Sequence, residues 1–254
     1  VQAQLYTHGE QKANVGIFMN SAVLLRAQIE QRIPFAFAAH KQPQRKFIPT
    51  GVSQIDELAG GIPLGALTEI CGSRVASSGK TSLYVSLLAQ ATTEYEMFCA
   101  LVDAGDSFDP TSAEAAGVSL ARLLWVRCGK SRQRLPPLEQ AFKVTDILLQ
   151  SGGFGLIAVD LSSIPERVVR RVPLASWFRF SRVLEKQPTA LVFLGQQSHA
   201  TSCAALVLNL KTKPGVWPGN LLMQLNIEVE VVRALDRKPS GSVRPVFSLK
   251  SQWA

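Results

Sequence analysis

"EICGSRVASSGKTSL", residues 69–83, decides how the rest of this chain is read. An apolar run ending in glycine leads into a loop of small residues. Gly-Lys-Thr then opens a leucine-spaced segment, which gives the strand–loop–helix context of a phosphate-binding loop. The match is offset at its start. Such a loop has about four residues between its first glycine and its Gly-Lys-Ser/Thr. Counting back from Gly79, that first-glycine slot holds Arg74, and Gly72 lies earlier still.

The N–H groups of such a loop form an anion nest, and the helix N-terminus adds its dipole. Ser77, Ser78, Gly79, Lys80 and Thr81 are expected to supply most of the nest, flanked by Gly72 and Ser82. Lys80 would reach the β- and γ-phosphates, and Thr81 would ligate Mg²⁺. The additional residues either bulge outward and leave the nest intact, or Arg74 and Val75 fold inward and occlude it. ATP or ADP with Mg²⁺ is therefore the expected ligand. The plain alternative is a serine-rich turn that binds nothing. Against that alternative stands "LIAVD", residues 156–160, an apolar strand ending in a carboxylate. Asp160 is placed to hold the water shell of the metal.

Outward from this centre, helices and strands alternate. A short helix is expected around Gln54–Leu58, stopped at Gly60–Gly61, with a strand near Ala66–Cys71. A helix over about 80–92 precedes strands at 98–103 and 123–128, with a small helix between them. A helix over about 137–150 leads to strand 156–160, and one near 174–186 leads to strand 189–195. Strands separated by helices imply βαβ units, and continuous apolar strands imply a parallel sheet buried on both faces. After Gly195 three strand-like runs follow without helices, so antiparallel strands are expected to extend one edge of the sheet. Upstream, Leu25, Ile29 and Ile33 recur at helical spacing, which predicts an amphipathic helix over 20–33 that ends at Pro34. "FAFAAHKQPQRK" then reads as an extended basic arm. Residues 1–18 lack periodicity and read as an extension or tail. The expected organisation is a tail, helix and arm over 1–48, a nucleotide-binding core over 49–213, and a β extension of the same domain over 214–254.

Composition bounds the function classes. With 254 residues and 46% hydrophobic content, the chain has ample material for one α/β core. Lys and Arg outnumber Asp and Glu by 27 to 19, giving a net charge of +8 that suits an acidic partner or simple solubility. The cysteines, Cys71, Cys99, Cys128 and Cys203, sit in apolar runs and read as buried thiols of a reduced compartment. No zinc spacing or nucleophile elbow is present. No apolar run approaches the ~20 residues of a membrane span, so a cytoplasmic protein without membrane contact is expected.

"GGIPLGALTEICG", "SSGKTSL", "CALVDAGDSFDPTSAEAAGVSLARLLWV", "LIAVD" and "LVFLGQQ" occur in the order of the core of RecA-type recombinases, which the chain resembles from about Pro49 to Lys211. The compact length and "ASSGKTSL" are more similar to the ImuA group, the RecA-like and sometimes SulA-like accessory proteins of bacterial mutagenic repair. The resemblance implies a RecA-like P-loop NTPase core with a mainly parallel central sheet, antiparallel C-terminal strands, and an N-terminal helix with an extended arm. It also implies that Gln196 matches the family's γ-phosphate-sensing glutamine.

Two departures from the family matter. The water-polarising glutamate expected two residues after Asp103 is replaced by Gly105, and Asp106 stands one position out of register. Loss of a positioned base costs about 10²–10⁴ in rate. The second DNA-binding loop is nearly absent, since strand character resumes by Cys203.

Three further features have functional and plain readings side by side. Arg167, Arg170 and Arg171 form a basic cluster that would contact DNA phosphates or else line a solvated helix face. Trp177, Phe178 and Phe180 would stack bases or, at near-helical spacing, fill the core. Phe35 and Ala38 in "FAFA" resemble the short Phe-x-x-Ala strand by which recombinase protomers join a neighbour's sheet edge; the alternative is packing on the chain's own core.

The resemblance implies a nucleotide-binding accessory protein of DNA-damage tolerance with weak or absent hydrolysis. Its partners would be a RecA-type recombinase or error-prone polymerase components, with weak single-stranded DNA binding and self-association. The alternative is an active DNA-dependent ATPase or recombinase, and a third reading is a scaffold with an empty site.

Overall fold

A computed structural model describes residues 28, 32, 45–73, 78–129, 135–216, 223–235 and 245–250. The chain divides into two compact units, residues 1–44 and 45–254. In the first unit the described residues are Gln28 and Arg32, both helical and exposed, within the segment expected to be an amphipathic helix. Phe35, Ala38, Arg74, Val75 and Ser77 lie outside the described residues.

The second unit opens with β1 (Phe47–Ile48), helix α1 (Ser53–Ala59) and β2 (Ile62–Pro63), and β1 pairs with β2 antiparallel. Gly60, with φ 81°, closes α1 in the left-handed conformation that favours glycine. Then come β3 (Ala66–Gly72), α2 (Lys80–Ala89), β4 (Cys99–Asp103), α3 (Pro110–Ala115) and β5 (Leu123–Arg127). They are followed by α4 (Pro137–Ser151), β6 (Leu156–Asp160), α5 (Glu166–Val169), α6 (Leu174–Leu184) and β7 (Ala190–Gly195). The chain continues with β8 (Ala204–Val216), β9 (Gln224–Ala234) and β10 (Val246–Lys250).

Among the described residues the main sheet has eight strands in the order β10-β9-β8-β3-β7-β6-β4-β5. The pairings from β8 through β3, β7, β6 and β4 to β5 are all parallel. The β8–β9 and β9–β10 pairings are antiparallel. The mixed α/β fold with a mainly parallel sheet and antiparallel C-terminal strands is as expected.

Two details differ from the sequence reading. Helix α2 stops at Ala89 and passes into a π-type turn over Gln90–Glu94 rather than running to 92. The first of the three C-terminal runs, β8, lies parallel to β3, and only its outer neighbour reverses. The physical reason is the connection before β8. Gly195 stands level with Cys71, while Ala204 stands level with Leu67, so the intervening residues cross the face of β3 back toward its start. That crossing has no helix to announce it in the sequence.

Strand periodicity sorts the core into two layers. Ile70, Cys99, Leu101, Leu156 and Ala158 face α1–α3, while Cys71, Ala100, Val102, Ile157 and Val159 face α4 and α6. In the second layer Phe142, Trp177, Phe180 and Phe193 form a contiguous aromatic cluster with ring centroids 4.9–6.0 Å apart. Truncating Phe180, which is fully buried, is the kind of change that costs about 3–5 kcal/mol. This packing fixes α6 against the sheet, and the parallel register brings Gly72, Asp103, Asp160 and Gly195 to the same edge. In open α/β sheets, ligands bind at that carboxyl edge.

Candidate functional site

Gly79 caps α2 with φ 74°. A Cβ there would lie 2.8 Å from Ile227 Cγ1 of β9. Backbone conformation and close approach both demand glycine at this position. At the other end of the loop, a Cβ on Gly72 would lie 2.7 Å from Ser78 Cβ. Gly72 and Ser78 are therefore in close contact.

Lys80 is buried. Its Nζ donates to the carbonyl of Gly72 at 2.9 Å and to the carbonyl of Gly195 at 2.8 Å. Burial pulls its pKa down, and the charge of Asp160 acts in the opposite direction. Thr81 and Ser82, in the first turn of α2, are exposed. Asp160, at the end of β6, is buried and accepts from the Ser162 N–H at 2.8 Å. Desolvation raises its pKa, against the lowering effects of Ser162 and Lys80.

A nucleotide with Mg²⁺ fits this donor set. A desolvated carboxylate gains from a divalent cation, and a buried ammonium gains from a phosphate. Thr81 and Asp160 would hold the metal, with phosphate oxygens completing its shell. Gly72, Ser78, Gly79, Lys80 and Ser82 would surround the phosphates; Ser77 belongs to the same loop but lies outside the described residues.

Asp103, which ends β4, and Asp106 just beyond it are already committed. Asp103 accepts from the N–H groups of Gly105 at 3.1 Å, Ser107 at 2.8 Å and Phe108 at 2.9 Å, so it shapes the turn. Asp106, with φ 53°, turns away to form a two-pronged pair with Arg127 at 2.5 and 2.7 Å. That hydrogen bond holds its carboxyl below the usual range. At Gly105 a Cβ would lie 2.7 Å from Ser163 Cβ, so Ser163 occupies the room a side chain would need.

Glu69 is a residue whose role the sequence did not announce. It is buried in β3 and accepts from Ser198 Oγ, from the His199 N–H at 2.7 Å and from the Ala200 N–H at 3.0 Å. It ties down the short connection that crosses β3, the stretch in which the sequence leaves almost nothing of the family's second DNA-binding loop. A charged residue inside the apolar strand "ALTEICG" was the available signal. Gln196 donates to the carbonyls of Ser162 at 3.4 Å and Ile164 at 3.2 Å, which links the end of β7 to the loop after Asp160.

Arg167, Arg170 and Arg171 are all exposed on and just after α5. Trp177 and Phe180 are core residues, whereas Phe178 is 42% exposed. The four cysteines are buried free thiols. Among the described residues no helix is long and apolar enough to cross a membrane.

Comparison with known proteins places this arrangement in context. Residues 33–169 match the family model described as the RecA N-terminal domain. The chain is 33% identical to Protein RecA of Haemophilus ducreyi over 164 residues, covering 63% of this chain and 41% of that protein. It is 30% identical to Protein RecA of Rickettsia canadensis over 168 residues, covering 63% and 44%. With Protein RecA of Colwellia psychrerythraea the identity is 37% over 102 residues, covering 40% and 27%. The chain thus spans less than half the length of these relatives.

Proposed function

This chain belongs to the RecA N-terminal domain family, and from that premise we propose that it is a nucleotide-binding, RecA-like accessory protein with little ATP hydrolysis of its own. The observation that carries the reading is the contrast within one site. The phosphate side keeps the glycine-capped start of α2, Lys80, Thr81 and Asp160. The water side has Gly105 backed by Ser163, with Asp103 and Asp106 both engaged elsewhere. ATP or ADP with Mg²⁺ is the ligand, and Gln196 would respond to the γ-phosphate.

The setting we propose is bacterial DNA-damage tolerance, as in the ImuA-type mutagenesis proteins. There the chain would act through contacts with a RecA-type recombinase or error-prone polymerase components. The Glu69-anchored connection leaves little room for a second DNA loop, which favours protein contacts over a recombinase's grip on single strands.

Melting curves with ATP–Mg²⁺ and steady-state ATP turnover test this together. Wild type should melt higher with nucleotide, Lys80→Ala should lose that rise, and turnover should stay slow with or without single-stranded DNA. Absence of any nucleotide effect on wild type would overturn the binding claim. Brisk DNA-stimulated turnover would establish the recombinase-type ATPase instead.

A further inference from the structure

On the face of the sheet away from α2, a cleft of about 570 Å³ opens between α4 and the segment 168–179. Its apolar lining is Leu138, Phe142, Val168, Val172 and Pro173, with the buried Leu138 and Phe142 as its floor. Phe142 belongs to the aromatic cluster with Trp177, Phe180 and Phe193. The rim is charged. Asp146 is paired with Arg179 at 3.2 Å, while Lys143 and Arg171 stand exposed at the edge with Glu139. The cleft is thus lined by three basic side chains, Lys143, Arg171 and Arg179, and two acidic ones, Glu139 and Asp146, and the exposed Arg167 and Arg170 adjoin it in sequence.

We propose that this cleft docks a peptide segment of a partner protein, with a leucine- or phenylalanine-sized anchor flanked by acidic residues. The size suits one or two buried side chains, and pockets of about 300–1,000 Å³ with apolar linings and few polar groups are typical binding sites. Apolar anchors set in a groove are a standard mode of peptide recognition. The excess of basic groups on the rim selects acidic flanks and steers their approach.

Nucleic acid fits less well. Bases stack on exposed ring faces, and the ring at this floor is Phe142, which is buried and packed against other aromatics. Phosphates would find the outer arginines without using the floor at all. The site is separate from Lys80 and does not depend on nucleotide binding there.

The test is a displayed library of random peptides panned on the full chain, with the enriched sequences synthesised as fluorescent probes. Enrichment should favour an apolar anchor next to Asp or Glu. Lys143→Glu with Arg171→Glu, both at exposed positions, should weaken the probe roughly tenfold or more and flatten its salt dependence. Ser176→Trp, which fills the cleft from α6, should abolish probe binding while leaving binding of a single-stranded oligonucleotide unchanged. Melting curves confirm that each variant is folded. The proposal is overturned if no acidic-apolar consensus emerges, or if the probes are insensitive to both sets of variants. It is also overturned if Ser176→Trp removes oligonucleotide binding, which would make the cleft a nucleic-acid site.

Discussion

Ser163 stands where a side chain on Gly105 would have to go: its Cβ lies 2.7 Å from the position of a Cβ at 105, and its hydroxyl is closer still. Gly105 has an ordinary backbone conformation, so space rather than φ limits the position. The loop carrying Ser163 is also pinned, by Asp160 at Ser162 and by Gln196 at Ser162 and Ile164. Gly105→Glu alone should therefore strain the loop, at a cost of about 1–3 kcal/mol, and gain little turnover. Gly105→Glu combined with Ser163→Gly should recover the stability and raise ATP turnover with little change in nucleotide affinity. Single-turnover kinetics and melting curves on the three proteins check this. Fast turnover in Gly105→Glu alone would show that the loop yields freely.

Asp160 gives a pH-dependent signature. Burial raises its pKa, so the folded state holds the proton more tightly than the unfolded state. The stability this contributes is present below the unfolded pKa and is lost as pH rises through the folded pKa. Asp160→Asn keeps an acceptor for the Ser162 N–H and removes the charge. It should melt higher than wild type at neutral pH, and the gain should vanish as pH falls from the raised folded-state pKa toward the ordinary carboxylate value. The Mg²⁺-dependent part of the nucleotide shift should disappear. A variant that melts lower at neutral pH would mean that the attraction to Lys80 outweighs desolvation.

DNA affinity is expected to be weak, independent of sequence and sensitive to salt, carried by Arg167, Arg170 and Arg171. All three are exposed on one short segment. Reversing the three charges should lower affinity and reduce the slope of log K against log salt by about one for each phosphate no longer neutralised. Anisotropy with a labelled oligonucleotide at several salt concentrations measures both. Unchanged binding would assign these arginines to a protein partner or to solvent.

Self-association is expected to involve Phe35. Among the described residues β5 ends the sheet on one side, and an exposed sheet edge is what such a strand would join. Phe35→Ala should weaken association by about 2 kcal/mol or more, the usual effect of losing a buried aromatic anchor. Sedimentation across a concentration series reads the change. If the substitution instead lowers the melting temperature of the monomer, Phe35 belongs to its own core.

Much of this molecule was written locally. The apolar runs at 99–103, 156–160 and 190–195 became strands because a parallel strand buried on both faces has no polar positions to alternate with. Gly79 and Lys80 marked the start of α2 for the same local reason, since a left-handed cap needs glycine. What the sequence left open depended on groups far apart along the chain meeting in space. The partners of Lys80, the carbonyls of Gly72 and Gly195, come from different strands. Ser163 fills the room beside Gly105, Arg127 takes Asp106 out of play, and Ile227 from β9 closes over Gly79. Glu69 decides how the chain crosses β3, because a buried carboxylate must find donors and those donors are Ser198, His199 and Ala200. Periodicity and turn chemistry act over a few residues and are legible in order along the chain. Occupied space and satisfied hydrogen bonds are settled only when the sheet has assembled.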